Sequence, residues 1–359
     1  MESLREKISQ MIVVGCKAER LNGDERLIFA EYGFGGFILF RHNCCALRQI
    51  LSLCRSLWDG APSLPPFIAI DGEGGKVHRL PRPFTHFPSA AAIGARNDLT
   101  LTYRAGRATA AELALVGINL NFAPVLDVNS NPANPIIGAR AFGADPSLVS
   151  AMSSAWIRGL REGGVIPCGK HFPGHGDTDK DSHLALPVVT KSWAEIHAVE
   201  LAPFGDACRE GIEALMTAHV KFTALDQNHV ATLSEPVVTG LLRHQLGYNG
   251  VVFSDDMEMK AVGDHYAPGE AATLAARAGI DAMLFCHDLE KAVQALEFLY
   301  AEADQDPALR ARVEASYRRV GALKQRWLKK FTGAADDEVE DRLTKLNHQS
   351  IVAEIHGSL

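Results

Sequence analysis

The stretch V-I-P-C-G-K-H-F-P-G-H-G-D-T-D-K-D-S-H, residues 165–183, joins a short apolar run to a loop of polar residues. The run Val165 to Gly169 has the length of a buried strand, and the Pro and Gly residues after it predict a turn into an exposed loop. The polar part, Lys170 to His183, contains three histidines and three aspartates, which bind polar ligands and transfer protons. Because α/β enzymes keep their chemistry at strand ends and in the loops that follow, this stretch predicts an active-site loop.

Seven further apolar runs of similar length occur along the chain, and amphipathic segments separate them. The eight candidate strands are Met11 to Val14, Gly36 to Phe40, Phe67 to Ile70, Ile118 to Ala123, Val165 to Gly169, Ala214 to His219, Gly250 to Ser254 and Ala282 to Cys286. The candidate helices between them include Asp98 to Leu115, Pro146 to Glu162, Ser192 to Glu210, Ser234 to Leu246 and Pro268 to Ala278. Eight β-then-α units in about 290 residues predict an α/β fold with a single (β/α)8 TIM-type barrel, and a doubly wound open sheet is the alternative.

The chain has no Ser-, Gly- or Pro-rich linker and no low-complexity stretch, so we expect one domain. Residues 1–290 would form the catalytic (β/α)8 barrel, and residues 291–359 a helical C-terminal extension packed on the barrel. The helical patterns at this end run from Leu289 to Ala303, from Ala308 to Phe331 and from Asp336 to about Ile355. No second α/β pattern follows the barrel.

With 359 residues, 47% of them apolar and 22% charged, the composition is that of an ordinary globular protein. The net charge of −7 and the lack of a basic cluster argue against a nucleic-acid partner and favour a small-molecule substrate. Seven cysteines without a C-x-x-C pair indicate a reducing compartment. The apolar run before Cys16 is too short for a lipoprotein signal, and no segment reaches the ~20 apolar residues that span a bilayer. We therefore expect a cytoplasmic protein without a membrane partner, as a monomer or weak dimer.

Polar residues follow five of the eight candidate strands directly. They are Asp71 with its G-E-G-G turn, Asp127 and Asn129, Lys170 and His171, His219 and Lys221, and Asp255 and Asp256. Any one of them alone is more simply explained as a solvated loop residue. In a parallel barrel, however, all strands end at the same rim, which is where catalytic residues lie. The set of five therefore predicts an active site at that rim.

The loop K-H-F-P-G-H-G-D-T, followed by D-S-H, resembles the signature of family 3 glycoside hydrolases, specifically the single-domain NagZ-type β-N-acetylglucosaminidases (β-hexosaminidases). Six other motifs match in order along the chain. They are I-D-G-E-G-G-K-V-H-R-L at 70–80, N-F-A-P-V-L-D-V at 121–128, G-A-R-A-F-G-A-D-P at 138–146, E-L-A-P-F at 200–204, A-T-L-S at 231–234 and V-V-F-S-D-D-M at 251–257. The resemblance implies hydrolysis of terminal, non-reducing β-N-acetylglucosamine, with peptidoglycan-derived muropeptides as substrates.

The resemblance also implies the catalytic residues. Asp255 matches the nucleophile that forms a covalent glycosyl-enzyme, so the reaction would retain configuration. Most glycosidases add a second carboxylic acid about 5 Å away, whereas this type uses a His-Asp pair that His183 and Asp181 match. Asp181 and His183 are two residues apart, and residues at this spacing in an extended loop point to the same side. A carboxylate next to a histidine favours the protonated form of the imidazole, so Asp181 would help His183 to act as an acid. We expect Asp256 to turn away from Asp255, to the opposite side of the strand.

Four further matches, Asp71, Arg140, Lys170 and His171, are the family's contacts to sugar hydroxyls, with His219 beside them. Arg and Lys donate hydrogen bonds while Asp accepts them, which suits a polyol. In the structural alternative, Arg140 pairs with Asp127 and His171 is an ordinary strand-end histidine. No cofactor and no metal ion are expected.

Other activities stay open. A β-N-acetylglucosaminide or β-glucoside phosphorylase would share the first half of the reaction, with phosphate replacing water in the second half. A metal-dependent hydrolase would use His171 and His175 with His183 or His219, but H-x-x-x-H on a Pro/Gly loop lacks the helix of known zinc motifs. The family's D-Q-E-G-G-R turn here has Gly72 and Lys76 in place of Gln and Arg. This change leaves the strictness for a 2-acetamido group and the identity of the aglycone undecided.

Overall fold

The computed structural model describes residues 2–62, 64–178 and 186–357. Its strands are β1 Ile12–Gly15, β2 Gly36–Leu39, β3 Phe67–Ile70, β4 Leu120–Asn121, β5 Ile166–Phe172, β6 Val188–Val189, β7 Ala214–Thr217, β8 Lys221–Phe222, β9 Val251–Asp256 and β10 Ala282–Phe285. Eight of them form a closed parallel barrel in the order β1-β10-β9-β7-β5-β4-β3-β2, and β6 pairs with β8 outside it. The predicted (β/α)8 TIM-type barrel is therefore confirmed, and the open sheet is not formed.

Helices surround the strands of the barrel. They are α1 Leu4–Ser9, α2 Gly23–Tyr32, α3 Leu47–Asp59, α4 Ala90–Arg96, α5 Leu99–Leu115, α6 Pro146–Glu162, α7 Trp193–Ala198, α8 Ala202–Arg209, α9 Lys260–Gly263, α10 Pro268–Ala278, α11 Leu289–Gln305, α12 Pro307–Trp327, α13 Val339–Leu346 and α14 Gln349–His356, with a π-helix at Pro236–Gln245. Three 3-10 turns lie at Arg41–Asn43, Gly138–Arg140 and Ala231–Leu233. No helix among the described residues is long and apolar enough to cross a bilayer.

Two segments predicted as single helices are each broken in two. The segment 192–210 forms α7 and α8, because Pro203 lies in the first turn of a new helix and lacks the N–H that would continue the old one. The segment 336–355 forms α13 and α14, with Asn347 between them in a left-handed conformation, at φ 38°. Asn tolerates this conformation better than most residues and often ends helices there.

Alternate side chains of the strands enter two different apolar layers. In β3, Phe67 and Ala69 join the cluster inside the barrel, whereas Ile68 and Ile70 join the layer between the strands and the helices. Because both faces are buried, parallel strands read as continuous apolar runs, which is why the sequence revealed them. Inside the barrel, the Phe253 ring contacts Phe67 edge to face with ring centres 5.7 Å apart.

Helix α12 closes the end of the barrel where the strands begin. Its residues Val320 and Leu323, with Leu328 just beyond it, belong to the apolar cluster that fills the barrel interior. Helix α11 packs on α10, α1 and β1, and α13 and α14 pack on α5. The domain boundary at residue 290, between barrel and extension, stays a prediction.

A lysine, Lys324 of α12, lies buried where the barrel interior meets this helix. Its Nζ donates to Gln10 Oε1 at 2.6 Å and to the carbonyl of Gly35 at 2.7 Å, and lies 4.9 Å from the centre of the Phe67 ring. Gln10, Gly35 and Phe67 stand at the beginnings of β1, β2 and β3. Lys324 therefore joins α12 to the beginnings of the first three strands of the barrel. Burial lowers its pKa to about 7.

This pKa predicts a pH-dependent contribution of Lys324 to stability. An unfolded lysine keeps its proton up to about pH 10.4, so between pH 7 and 10 the unfolded state binds more protons than the folded state. Over that window Lys324 makes stability rise with pH, by at most about 1.4 kcal/mol per pH unit, and below pH 7 its contribution is flat. Urea unfolding of the wild type and of Lys324→Met at pH 6 to 9 measures this slope, which should be absent in the variant. The exposed Lys329→Met is the control, and equal slopes in wild type and Lys324→Met would contradict the prediction.

Candidate active site

Polar side chains meet around a cavity of about 230 Å³ at the end of the barrel where the strands finish. The predicted residues that line it are Asp71, Arg140, Lys170, His171 and Asp255, and they are joined by Glu73, Arg79, His175, Asp256 and His287. A wider groove of about 600 Å³ lies at the opposite end of the barrel, against α12. Because barrel enzymes keep their chemistry at the C-terminal ends of the strands, the smaller cavity is the candidate active site.

One wall of the cavity is an ion-pair network centred on Lys170. Its Nζ lies 2.7 Å from Asp71 Oδ1 and 2.7 Å from Glu73 Oε1. Arg140 binds both oxygens of Glu73, with each nitrogen–oxygen distance 2.8 Å, and Arg79 binds Asp71 at 3.0 Å. The alternative in which Arg140 pairs with Asp127 is therefore not realised. A ligand at this wall meets both donors and acceptors in fixed positions.

Both acids of this network are ionised in spite of their burial. Burial alone would raise the pKa of each carboxyl, but Lys170 and Arg79 hold the pKa of Asp71 well below its usual value, and Lys170 and Arg140 do the same for Glu73. Burial would also lower the pKa of Lys170, yet Asp71 and Glu73 raise it. Each charge is thus retained because its opposite lies within hydrogen-bonding distance, as buried ions require.

The second wall is organised by Asp127, whose side chain is completely buried. Its Oδ2 lies 2.7 Å from Nδ1 of His171, and its Oδ1 accepts the backbone N–H of His171 at 3.1 Å and of His175 at 2.7 Å. This fixes the His171 ring so that its other nitrogen, Nε2, lies 3.4 Å from a guanidinium nitrogen of Arg140. His171 is therefore both braced by Asp127 and part of the cavity lining.

Asp255, at the end of β9, is an ionised carboxylate that lines the cavity. Burial would raise its pKa, but His171 and His219 lower it below the usual value. Its Oδ1 accepts the backbone N–H of Asp256 at 2.8 Å. An anionic oxygen held beside a polar, ligand-sized cavity can act on a bound ligand as a nucleophile or as a base.

The structure adds to the sequence expectations for two residues at this end of the site. Asp256 is among the residues that line the cavity, and the direction of its side chain relative to that of Asp255 stays a prediction. His219 is fully buried, with Nδ1 2.8 Å from Thr232 Oγ1 and Nε2 2.9 Å from the carbonyl of Asp256. We therefore expect His219 to support the end of β9 rather than contact a sugar.

The loop that follows β5 is anchored on both sides of residues 179–185. On the first side, Asn134 donates to the carbonyls of His175 and Gly176 at 2.8 and 3.0 Å. On the second, Lys191 binds Asp177 at 2.9 Å and the buried Glu200 at 2.8 Å. The predicted acid/base pair, His183 and Asp181, lies outside the described residues, so its role stays a prediction.

Comparisons with known proteins agree with this geometry. The model of the glycosyl hydrolase family 3 N-terminal domain matches residues 3–323. The chain belongs to glycoside hydrolase family 3. Its fold and cavity are thus those of a glycoside hydrolase.

Similar proteins carry related names. A beta-hexosaminidase of Tolumonas auensis is 38% identical over 302 residues, which are 83% of this chain and 87% of the relative. Beta-hexosaminidase A of Pseudoalteromonas piscicida is 39% identical, but the match covers 72% of this chain and only 46% of that relative's length. Among solved structures, a family 3 β-N-acetylglucosaminidase from Paenibacillus has a TM-score of 0.89 at 38% identity, over 98% of this chain and 69% of that one.

Sequence reasoning did not assign a binding role to two members of the Lys170 network. Glu73 and Arg79 both belong to the matched motif at 70–80, in which the sequence assigns a sugar contact to Asp71 alone. An acid directly between glycines at a strand end was the available signal, since such a turn brings a side chain next to the strand-end residues. That Glu73 binds both Arg140 and Lys170 follows only from the tertiary structure.

Two buried glutamates of this family 3 enzyme allow a test of the network, with Glu73 as the test position and Glu213 as the control. Glu73 lines the cavity, whereas Glu213 lies at the opposite end of the barrel and is bound by both nitrogens of Arg161, at 2.9 and 3.0 Å. Removing either charge leaves a cation partly unpaired, so Glu73→Gln and Glu213→Gln should each lower the free energy of unfolding, by at most about 5 kcal/mol. Only Glu73→Gln should lower kcat/KM, on the order of 10²-fold, because it lets Arg140 and Lys170 move.

Thermal unfolding and turnover of an aryl β-N-acetylglucosaminide, measured for both variants, separate the two effects. A loss of activity in Glu213→Gln as large as in Glu73→Gln would mean that lowered stability, and not the position of Glu73, causes the defect.

Proposed function

We propose that this family 3 enzyme removes terminal, non-reducing β-N-acetylglucosamine from small glycosides by a retaining, two-step reaction on Asp255. The observation that carries the proposal is the ionised Asp255 carboxylate beside a cavity whose opposite wall offers fixed donors and acceptors. The names of the relatives, beta-hexosaminidase and β-N-acetylglucosaminidase, support this sugar. We propose peptidoglycan-derived muropeptides as the natural substrates and the cytoplasm as the location, which fits seven free cysteines.

In the first step, a carboxylate oxygen of Asp255 attacks the anomeric carbon while the bond to the leaving oxygen breaks. A proton from His183 goes to the leaving oxygen, so the aglycone departs as a neutral alcohol. Asp181 beside His183 would keep the imidazole protonated before this step. The product is a glycosyl ester on Asp255, with the configuration inverted once.

In the second step, water attacks the same carbon and the ester bond to Asp255 breaks. His183, now neutral, accepts the proton of the attacking water, which returns both catalytic groups to their starting states. The second inversion restores the original configuration. A histidine serves both steps because its pKa near 6.5 allows either form at neutral pH.

The ion-pair network would hold the sugar hydroxyls during both steps. Lys170 and Arg140 donate, Asp71 accepts, and each is already fixed by a buried partner, so little side-chain freedom is lost on binding. His171 would contribute Nε2, since Nδ1 is held by Asp127. Such preorganised groups orient the anomeric carbon toward Asp255.

A metal-dependent reaction is the less favoured alternative. A zinc-bound structure of CbsA from Thermotoga neapolitana resembles this chain, with a TM-score of 0.82 and 30% identity over 91% of this chain and 69% of that one. Within residues 2–62, 64–178 and 186–357, however, no three or more His, Cys, Asp or Glu side chains are grouped to hold a metal ion. A metal-free reaction therefore stays our prediction for this chain.

Hydrolysis and phosphorolysis share the first step and differ only in the second nucleophile. The experiment that separates them is product analysis with and without inorganic phosphate. Free N-acetylglucosamine released at the same rate in both conditions supports the hydrolase. Formation of a sugar 1-phosphate only in the presence of phosphate would contradict the hydrolase proposal and show that the enzyme is a phosphorylase.

The nucleophile assignment predicts that Asp255→Ala abolishes turnover while the protein stays folded, because the covalent step loses its carboxylate. A 2-fluoro or 5-fluoro glycoside should trap the intermediate and label Asp255 in the wild type, as read by peptide mass spectrometry. The labelling is done in EDTA, since no metal is expected to take part. Labelling of Asp256 instead, or loss of labelling in EDTA that zinc restores, would contradict the assignment.

The acid role of His183 predicts a defect that depends on the leaving group. A dinitrophenolate departs with little protonation, so His183→Ala should retain far more activity on that glycoside than on an alkyl glycoside. Asp181→Asn should show a milder form of the same trend, because it removes the charge that favours the protonated imidazole. Lys170→Ala is the control, since a hydroxyl contact should affect all glycosides of one sugar alike. Equal slowing of good and poor leaving groups by His183→Ala would make His183 a binding or structural residue.

A further inference from the structure

Asp256, the neighbour of the proposed nucleophile, has no role in the mechanism above, yet it contacts the turn after β9, the segment after β10 and His219. We propose that Asp256 is a positioning residue that holds Asp255 in place when it is ionised, and that His287 at the cavity mouth stabilises this ionised form. The proposal rests on the proposed function, because it assigns the Asp255 carboxylate to the attack on the sugar.

The backbone of Asp256 fixes the nucleophile directly. Its N–H donates to Asp255 Oδ1 at 2.8 Å, and its carbonyl accepts from Nε2 of His219 at 2.9 Å. His219 is itself held through Nδ1 by Thr232 Oγ1, at 2.8 Å. A rotation of the Asp256 peptide would therefore move the carboxylate of Asp255. Displacements of about 1 Å at reacting atoms can cost on the order of 10²-fold in rate.

The side chain of Asp256 holds that peptide against two neighbouring segments. Its Oδ1 accepts the backbone N–H of Glu258 at 3.1 Å, which belongs to the turn after β9, and that of Cys286 at 3.3 Å, which follows β10. These bonds join β9 to β10 beyond the last pair of their ladder, in which Leu284 lies opposite Asp256. The carboxylate thus ties the strand end that carries Asp255 to the adjacent strand, in addition to the backbone bond from the Met257 N–H to the carbonyl of Leu284 at 2.9 Å.

The second oxygen of Asp256 faces His287, which lies two residues after the end of β10. Oδ2 lies 3.5 Å from Nε2 of His287, whose side chain is 62% exposed at the cavity mouth. The His287 ring stacks on Phe40 with centres 5.3 Å apart, and its backbone N–H donates to Glu258 Oε2 at 2.6 Å. His287 is therefore held in position while its ring stays in contact with solvent.

Two acids, Glu258 and Asp255, and one histidine, His287, act on the ionisation of Asp256. Burial together with the negative charges of Glu258 and Asp255 raises its pKa to about 6, and His287 opposes this rise. Lys291 lies 3.6 Å from Glu258 and so faces that acid rather than Asp256. Since the pKa is raised, Asp256 is ionised above about pH 6 and protonated below it. Protonation removes the attraction between Oδ2 and His287 and weakens an acceptor that holds two N–H groups.

The ionised form is the one in which all five contacts are satisfied: three of the carboxylate, with Glu258, Cys286 and His287, and two of the peptide, with Asp255 and His219. We therefore expect activity to fall as the pH drops through the Asp256 ionisation, before Asp255 itself is protonated. His287 at the mouth would extend the active range toward acid pH by favouring the ionised form.

The test compares Asp256→Asn and Asp256→Ala in the full-length enzyme. Turnover of the dinitrophenyl β-N-acetylglucosaminide is followed from pH 4.5 to 8, because this substrate needs little acid catalysis. Asp256→Asn keeps an oxygen for the two N–H groups, so kcat should fall less than about tenfold, and the acid limb of kcat/KM should move to lower pH. Asp256→Ala loses the tie, so kcat should fall on the order of 10²-fold with KM changed less than about threefold.

His287→Gln supplies the second arm, since it keeps a donor near Oδ2 without a titratable charge. Its acid limb should move to higher pH, while its melting temperature stays that of the wild type. Asp288→Asn is the matched control: it removes a neighbouring charge that caps α11 through the N–H of Glu290, and it should leave the pH profile unchanged.

Equal kcat losses in Asp256→Asn and Asp256→Ala, or an acid limb of Asp256→Asn at the wild-type position, would overturn the proposal. These outcomes are distinct from a failure of the proposed function. In that case the wild type itself would not be labelled on Asp255 by the fluoro glycoside, whereas here the label should still reach Asp255 in Asp256→Ala, only more slowly.

Discussion

Closure of the parallel barrel is the constraint on which the other features depend. β1 pairs on one side with β2 and on the other with β10, in parallel on both sides, so the sheet has no free edge. Closure fills the interior with side chains such as Phe67 and Phe253, and α12 covers the end where the strands begin. All strands then finish at the other end. Polar residues far apart in sequence are brought together there for this geometric reason alone.

Charges that are buried together at that end of the barrel are costly unless each lies next to an opposite charge. In this site they are arranged in such pairs. Lys170 and Arg140 face Asp71 and Glu73, and Asp127 faces His171, so almost every buried charge has an opposite charge or donors beside it. Such pairs contribute little net stability once desolvation is counted, but they fix side chains in one arrangement. A rigid polar wall is what a reaction on a sugar ring requires, because orientation of the anomeric carbon contributes to the rate.

The pKa values of the two adjacent acids at the end of β9 are shifted in opposite directions by their surroundings. Asp255 faces His171 and His219, and its pKa is lowered, whereas Asp256 faces Glu258 and Asp255, and its pKa is raised to about 6. Neighbouring carboxylates with separated pKa values are a common sign of divided roles in an active site. The proposed division between nucleophile and positioning residue follows from that asymmetry.

The sequence by itself determined the eight strands and the rim, because parallel strands buried on both faces leave continuous apolar runs and polar residues follow them directly. It also indicated the family, through motifs that lie at strand ends. It did not determine which side chains pair: the pairs Glu73 with Arg140 and Asp127 with His171 were decided only by the tertiary structure. The reason is physical, since the apolar pattern of a strand is local, whereas the partner and pKa of a buried charge depend on residues of other strands that the closed barrel brings within about 3 Å.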